Sequence, residues 1–343
     1  MRHLLLSFAL ALIATSALAA ASDRDVLITP DGIVYTVSSE LATPATSLVA
    51  DAVLDLNIQD GSNVRHVTVP SSKTAGFHFG GTLAYDPDSK TLFVLWIHMN
   101  GGGGSSEILL SSYRDGTWQP AVTIDSQSWL ISSNLRLGIT RRVSQLQKDG
   151  SYADTAALLL HAVWWNDAGG KGEEARYALL PVENGAVSSA AVEVHSLEEF
   201  IASAADKYNP VDSNFNEEIL RHPAIVSAPA QNSVDIIFGD TKNNSLHGVT
   251  LRPIADTRVH IPVGVGGGRP SIPAPVSFSA DWKGPISVIS RGDRLVFANA
   301  NEKSLSYLTY TSGSWSAVKS IAIDSRFPAE AALSALDKMV SAQ

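Results

Sequence analysis

Four polar residues stand at one recurring place in this sequence. His98, Asp167, Asp240 and Asn299 each come just after an apolar run that reads as a β-strand, at 92–96, 158–165, 234–238 and 295–297. An imidazole, two carboxylates and an amide gathered into a ring could hydrogen-bond sugar hydroxyls or hold a hard cation through oxygen ligands. The alternative is that polar residues simply begin loops, as they do in most proteins. Asp281 and Trp282 lie side by side in a long polar segment, where the indole could stack on a sugar ring or pack at the rim of a core. His78, between Phe77 and Phe79, and His161, inside an apolar strand, read as hydrogen-bonded structural histidines. Trp164 and Trp165 close an apolar run, so at least one belongs to a core.

Composition narrows the chemistry. The chain has 343 residues, a net charge of −9 and no cysteine. Without cysteine there is no disulfide framework, thiolate nucleophile or zinc ribbon. The acidic balance argues against nucleic acid or an anionic lipid surface as partner. No metalloprotease His-Glu-x-x-His, phosphate-binding loop, Gly-x-Ser-x-Gly or EF-hand spacing is present. The run from Gly264 to Arg269 breaks the dinucleotide fingerprint at its last glycine. No cofactor or metal is therefore expected. Residues 1–21 read as an export leader: Arg2 and His3, then a Leu/Ala run, then Ala17-Leu18-Ala19 as a small-x-small cleavage pattern. A bacterial periplasmic or secreted protein is the expectation. No other run is long and apolar enough for a helical membrane span.

The remainder, 22–343, reads as one domain built from a repeated paragraph. The clearest copy runs over 80–125. Thr82-Leu83-Ala84-Tyr85 meets the turn Asp86-Pro87-Asp88-Ser89, and the apolar run 92–96 leads into the glycines 101–104. The third run, 107–113, meets the turn Arg114-Asp115-Gly116, and 117–124 completes the unit. The span 285–323 matches it, and 25–70, 135–194 and 223–262 follow the same plan. Short apolar, β-branched and aromatic runs between Gly, Pro, Asn and Asp turns are strand signals. Four strands per unit, at intervals of roughly 45–65 residues, predict an all-β propeller of four-stranded antiparallel blades. Five units predict five blades, with six the alternative count, and a β-sandwich is the competing architecture. A sandwich does not account for the Tyr-x-x-Gly-x-Trp echo at 113–118 and 310–315. Helices are expected over 197–205 and, at the C-terminus, 333–339. The longer connections all fall between second and third strands or between units, so a propeller would carry them on one face.

The span 80–125 resembles the sialidase-like propellers that contain the bacterial neuraminidase repeat, or Asp-box. It departs from the motif Ser-x-Asp-x-Gly-x-x-Trp: Arg114 and Thr311 stand two residues before the glycines, and Trp118 and Trp315 follow two residues after them. Gly-x-Trp blades also occur in propeller lectins. The resemblance implies an arginine triad that clamps a carboxylate through paired hydrogen bonds. Arg136, Arg221 and Arg269, near the starts of three first strands, are the matching positions, with surface arginines on loops as the other reading. Tyr208, Glu217, Glu218 and Asp281 lie in the right loops for the family's nucleophile pair and acid but match no motif. The expectation is an exported monomer whose loop-rich face binds a glycan or another polar small molecule without turnover. A sialidase-like glycoside hydrolase and a non-catalytic protein scaffold are the alternatives.

Overall fold

The computed structural model describes residues 25–41, 51–100, 105–128, 131–167, 174–187, 192–197, 223–227, 234–240, 245–251, 253–255, 262–265, 287–291, 294–300, 304–311 and 314–322. The expected leader, the C-terminal helix and all but the first residue of the helix over 197–205 lie outside them. The described chain is all-β, with a single 3-10 turn at Pro70–Lys73.

Among the described residues the strands form four hydrogen-bonded sheets, of nine, seven, three and five strands. The nine-stranded one is joined at its middle only by a parallel contact between Ala52 and Phe77, and its two antiparallel halves are called the first and second sheets. In chain order this gives five antiparallel units. The first contains β1 (Asp25–Ile28), β2 (Val34–Leu41), β3 (Ala52–Asp60) and β4 (Asn63–Thr68). The second contains β5 (Phe77–Asp86), β6 (Thr91–Met99), β7 (Ser105–Arg114) and an outer strand split into β8 (Thr117–Trp118) and β9 (Val122–Ser128). The third repeats that plan with β10 (Ile131–Leu146), β11 (Tyr152–Asp167), β12 (Glu174–Glu183), β13 (Ala186–Val187) and β14 (Glu193–Ser196). The fourth has β15 (Pro223–Ser227), β16 (Val234–Asp240) and β17 (Ser245–Leu251). Its continuation, β18 (Pro253–Ala255) and β19 (Pro262–Val265), forms a hairpin whose first strand runs parallel to β10. The fifth has β20 (Ser287–Arg291), β21 (Arg294–Ala300), β22 (Ser304–Thr311), β23 (Ser314–Trp315) and β24 (Lys319–Ala322).

The turns explain why the units end alike. Asp115 and Gly116 have φ of 50° and 82°, and Asn184 and Gly185 have φ of 53° and 80°. Two consecutive positive φ values make the two-residue turn whose twist suits a hairpin, and Asp-Gly and Asn-Gly adopt it at least cost. The Tyr–Trp echo is the same device written twice. Tyr113 pairs with Trp118 across β7–β8, and Tyr310 pairs with Trp315 across β22–β23. After each tryptophan the chain closes with an identical 2.8 Å hydrogen bond, Gln119 N–H to Ser112 O and Ser316 N–H to Thr309 O.

The core lies between sheets. Val37, Leu54 and Leu56 of the first sheet pack with Leu83, Val94 and Trp96 of the second. Phe93, Leu95 and Leu110, from the other face of the second, pack with Leu137, Leu160 and Trp164 of the third. Leu159, Val163 and Trp165 then meet Val234, Ile236 and Leu251 of the fourth. The second and third sheets thus bury both faces, and β6 is buried from Thr91 to His98. A two-layer sandwich would leave each sheet one wet face and an alternating pattern. First strands touch in sequence, β1 with β5, β5 with β10, β10 with β15 and β15 with β20, and β20 touches β1.

One ion pair ties neighbouring sheets at the hairpin end. The Arg141 guanidinium, on β10, donates through Nε and Nη2 to the two oxygens of Asp86, each at 2.6 Å, and also meets Asp88. Asp86 is fully buried. Burial by itself would raise its carboxyl, but Arg141 and Ser89 donate to the charged form and hold it below the usual carboxylate range.

Candidate functional site

Antiparallel pairing puts the second-to-third and between-unit connections at one end of each sheet, the loop end. There the second sheet sets His78 of β5 directly opposite His98 of β6, and His98 opposite Glu107 of β7. A bulge creates this register. Between Phe79 and Thr82 β5 runs one residue longer than β6, with Gly80 at φ 63°. The imidazoles stack with ring centroids 4.4 Å apart and planes 8° apart. Both are buried, whereas the Glu107 side chain is 33% exposed, so the row runs from the interior toward solvent.

Each nitrogen in the row has a partner. The Trp96 indole N–H donates to His78 Nδ1 at 3.0 Å. His78 Nε2 lies 3.1 Å from Thr74 Oγ1 and 3.3 Å from Thr74 O. His98 Nδ1 lies 3.0 Å from Glu107 Oε2, and its Nε2 lies 3.1 Å from Ala75 O. Desolvation first, and the neighbouring His98 second, lower the His78 pKa to about 4. The chain approaching β5 is pinned from the other side: Gly76 N–H donates to Asp51 Oδ1 at 3.0 Å, and Ala52 N–H donates to Gly76 O at 3.1 Å.

The third sheet builds an equivalent corner. Its bulge lies between Ser133 and Arg136, and Ser132 pairs with Asn166 just as His78 pairs with His98. Trp164 stands two residues before Asn166 as Trp96 stands before His98. Its indole N–H donates to Asn166 Oδ1 at 3.0 Å, and Ser132 Oγ–H donates to the same oxygen at 2.9 Å. Two donors on one atom fix the amide orientation. The Asn166 Nδ2 is then buried without an acceptor among the described residues. Ser106, next to Glu107 on β7, places its hydroxyl 3.5 Å from that of Ser132, so the two corners adjoin.

The candidates from the sequence separate on this geometry. His98 sits in the row, but both of its nitrogens are engaged by protein acceptors. Asp167 ends β11, and the position equivalent to His98 is Asn166, one residue earlier. Asp240 ends β16, and Asn299 is the penultimate residue of β21, both at the loop end. Arg136 is the sixth residue of β10 rather than a loop residue. Its Nη1 donates to the backbone oxygen of Leu135 at 2.6 Å. Arg221, Arg269, Asp281 and Trp282 lie outside the described residues. The histidines read as structural are so bonded. His161 is held between Thr140 Oγ1 and Tyr177 OH, each at 2.8 Å, and burial lowers its pKa to about 3. Glu107, Ser132 and Asn166 are the residues that reading the sequence missed. The signal for them was the aromatic-x-polar step closing second strands, Trp96-Ile97-His98 and Trp164-Trp165-Asn166, echoed by Phe238-Gly239-Asp240 and Phe297-Ala298-Asn299. Among the described residues no three His, Asp or Glu side chains are grouped to hold a metal ion.

The sequence matches no protein-family model and no curated protein. Among solved structures the chain is similar to a Hadza microbial sialidase, with 11% identity and a TM-score of 0.49. That match covers 88% of this chain and 58% of the sialidase, so the chain spans little more than half of that protein. It is also similar to an α-L-arabinofuranosidase from Lactobacillus brevis, with 12% identity, a TM-score of 0.41, and 89% of this chain and 90% of that one covered. For an exo-β-1,3-galactanase from Phanerochaete chrysosporium the identity is 9%, the TM-score 0.41, and the coverage 89% and 64%. At these scores the likenesses assign neither activity nor ligand. No helix among the described residues is long and apolar enough to cross a membrane.

Proposed function

We propose that this chain is an exported five-bladed β-propeller whose loop end binds a polar, hydroxyl-rich small molecule, a carbohydrate being the best fit, without turning it over. Sheets that bury both faces, and first strands touching around from β20 back to β1, support the ring. A ring turns the loop ends of all blades toward one opening, where polar groups can converge. The observation that carries the binding reading is the polar corner shared by the second and third sheets, where Asn166 keeps an amide donor with no acceptor among the described residues. A buried donor without an acceptor costs about 1–3 kcal/mol, which a ligand oxygen admitted to this fully buried amide would recover. The hydrolase reading gains nothing from Arg136, whose guanidinium is turned onto its own strand's backbone.

Purified protein on a glycan array, beside a panel of chromogenic glycosides that includes a sialoside, tests this. The expected result is array binding without turnover, weakened at least tenfold by Asn166→Ala in a protein that still folds. Turnover abolished by Arg269→Ala would establish the hydrolase instead. Silence in both assays would leave a scaffold for a protein partner.

A further inference from the structure

The hydrogen-bond partners of the stacked imidazoles fix where their hydrogens are. An indole N–H can only donate, so His78 Nδ1, facing Trp96, carries no hydrogen. A neutral His78 then has its hydrogen on Nε2, which donates to Thr74. His98 is in the opposite situation. Glu107 Oε2 and Ala75 O, the groups beside its two nitrogens, are both acceptors. A neutral imidazole has one N–H and one lone pair, so in that state one of these contacts would set a lone pair against an oxygen 3.0 or 3.1 Å away. An extra hydrogen between His98 and Glu107 resolves this. It belongs on the imidazole, the stronger base of the two. Two stacked imidazoles cannot comfortably both be charged, and the neutral His78 makes the arrangement possible.

We infer that His78, His98 and Glu107 form a proton-operated latch at the loop end, which fastens the crossover between the first and second sheets when His98 carries hydrogens on both nitrogens and His78 on Nε2 alone. The latch holds the backbone oxygens of Thr74 and Ala75, and those residues lead directly into Gly76. Gly76 has φ 120°, and a Cβ there would lie 2.6 Å from Met99 O and 2.9 Å from His98 Nε2. The crossover is therefore seated directly against the His98 ring, with no room for a side chain. Among the described residues, the charged and titratable groups acting on the pair are Glu107 on β7 and Asp51 ahead of β3. Both are acidic, which suits one positive charge in the pair. Loss of the second hydrogen from His98 places Glu107 against a lone pair and releases one end of the crossover. Protonation of His78 removes the acceptor for Trp96 and breaks the latch from the other side. The latch is thus closed within a pH window, and opening it loosens the join at Ala52 and Phe77 where the first two sheets meet.

Nitrogen-15 NMR of the histidine rings, with amide hydrogen exchange followed over the same pH range, tests the latch on the intact chain. The expected spectrum has both His98 nitrogens protonated and His78 protonated on Nε2 only. As pH rises, exchange protection at Gly76 and Ala52 should fall by about tenfold or more, in step with loss of the second ring hydrogen. Glu107→Gln should abolish that step, because an amide can face either an N–H or a lone pair. His98→Gln, which cannot titrate, should abolish it too and stands in if the first variant fails to fold. A His98 ring with one bare nitrogen while the crossover is protected would overturn the latch. So would protection without a step in the unaltered chain, or a step that survives Glu107→Gln.

Discussion

His78 and His98 in the second sheet occupy the positions that Ser132 and Asn166 occupy in the third, and each pair sits beside a bulge and below a buried tryptophan. In the second sheet the tryptophan N–H goes to a ring nitrogen, and every nitrogen of the pair finds a partner. In the third it goes to an amide oxygen already taken by a serine, and a donor is left over. The shared part is apolar and geometric: the bulge sets the register, and the indole fills the wedge between sheets. The variable part is the polar group two residues beyond the tryptophan. One corner so carries a stacked imidazole pair between sheets, and its neighbour a fixed amide donor. Within a repeat, packing residues hold the frame while one or two positions carry the chemistry.

The largest effect should come from what both corners share, the ion pair at the far end of the same sheets. Asp86→Ala removes the buried carboxylate and leaves Arg141, 30% exposed, with Asp88 alone, and should cost about 3 kcal/mol. Chemical denaturation would read that as a lowered midpoint at unchanged slope. A loss below about 1 kcal/mol would mean that the second and third sheets are not held together there.

Next is acid, which separates a corner that titrates from one that does not. His78 has a folded pKa of about 4 against an ordinary value of 6.5, so the unfolded chain binds the proton more readily. Its contribution is fully present above pH 6.5 and is lost as pH falls toward 4, on the order of 3 kcal/mol in all. His161, at about 3, has the same sign and continues the loss to lower pH. His78→Gln should flatten the upper part of the acid limb of stability, between about pH 6.5 and 4, and leave His161's part in place. An unchanged limb in that variant would remove His78 from the account.

Glycine substitutions should give the smallest and most graded effects. Gly76→Ala drives a methyl into Met99 O and the His98 ring from a left-handed backbone, and should cost about 1–3 kcal/mol. Gly116→Ala meets nothing within 4 Å and bears only the backbone penalty at φ 82°, about 1 kcal/mol. Thermal melting of the two variants side by side would sharpen the contrast between a seated crossover and a free turn, and equal shifts would erase it.

Much of this frame could be read from the sequence because its signals are local. Asp115-Gly116 and Asn184-Gly185 name their turns, and the Tyr-x-x-Gly-x-Trp echo names a hairpin that recurs with the same pairing. The strand runs at 92–96 and 158–165 fall within β6 and β11. The site was less legible because it depends on register. Nothing near His78 announces that a bulge at Gly80 will place it opposite His98, twenty residues on. The one-residue difference between Asp167 and Asn166 depends on the matching bulge in β10. Arg141 meets Asp86 across 55 positions of chain, a distance no motif spans. Arg136, chosen as lying just before or at the start of a first strand, is the sixth residue of β10, which begins at Ile131. The aromatic-x-polar step was visible throughout, and its meaning came only with the pairing of the strands.

The arrangement of the sheets carries the rest, since only a ring gathers the loop ends of separate units around one opening. The absence of cysteine makes a direct measurement simple. Spin labels on single cysteines at Leu27 in β1 and Val288 in β20 report the separation between the first and fifth units. A short distance with one narrow peak is the predicted result. A long or broad distribution, with the two end sheets held apart, would contradict the ring and the shared opening with it.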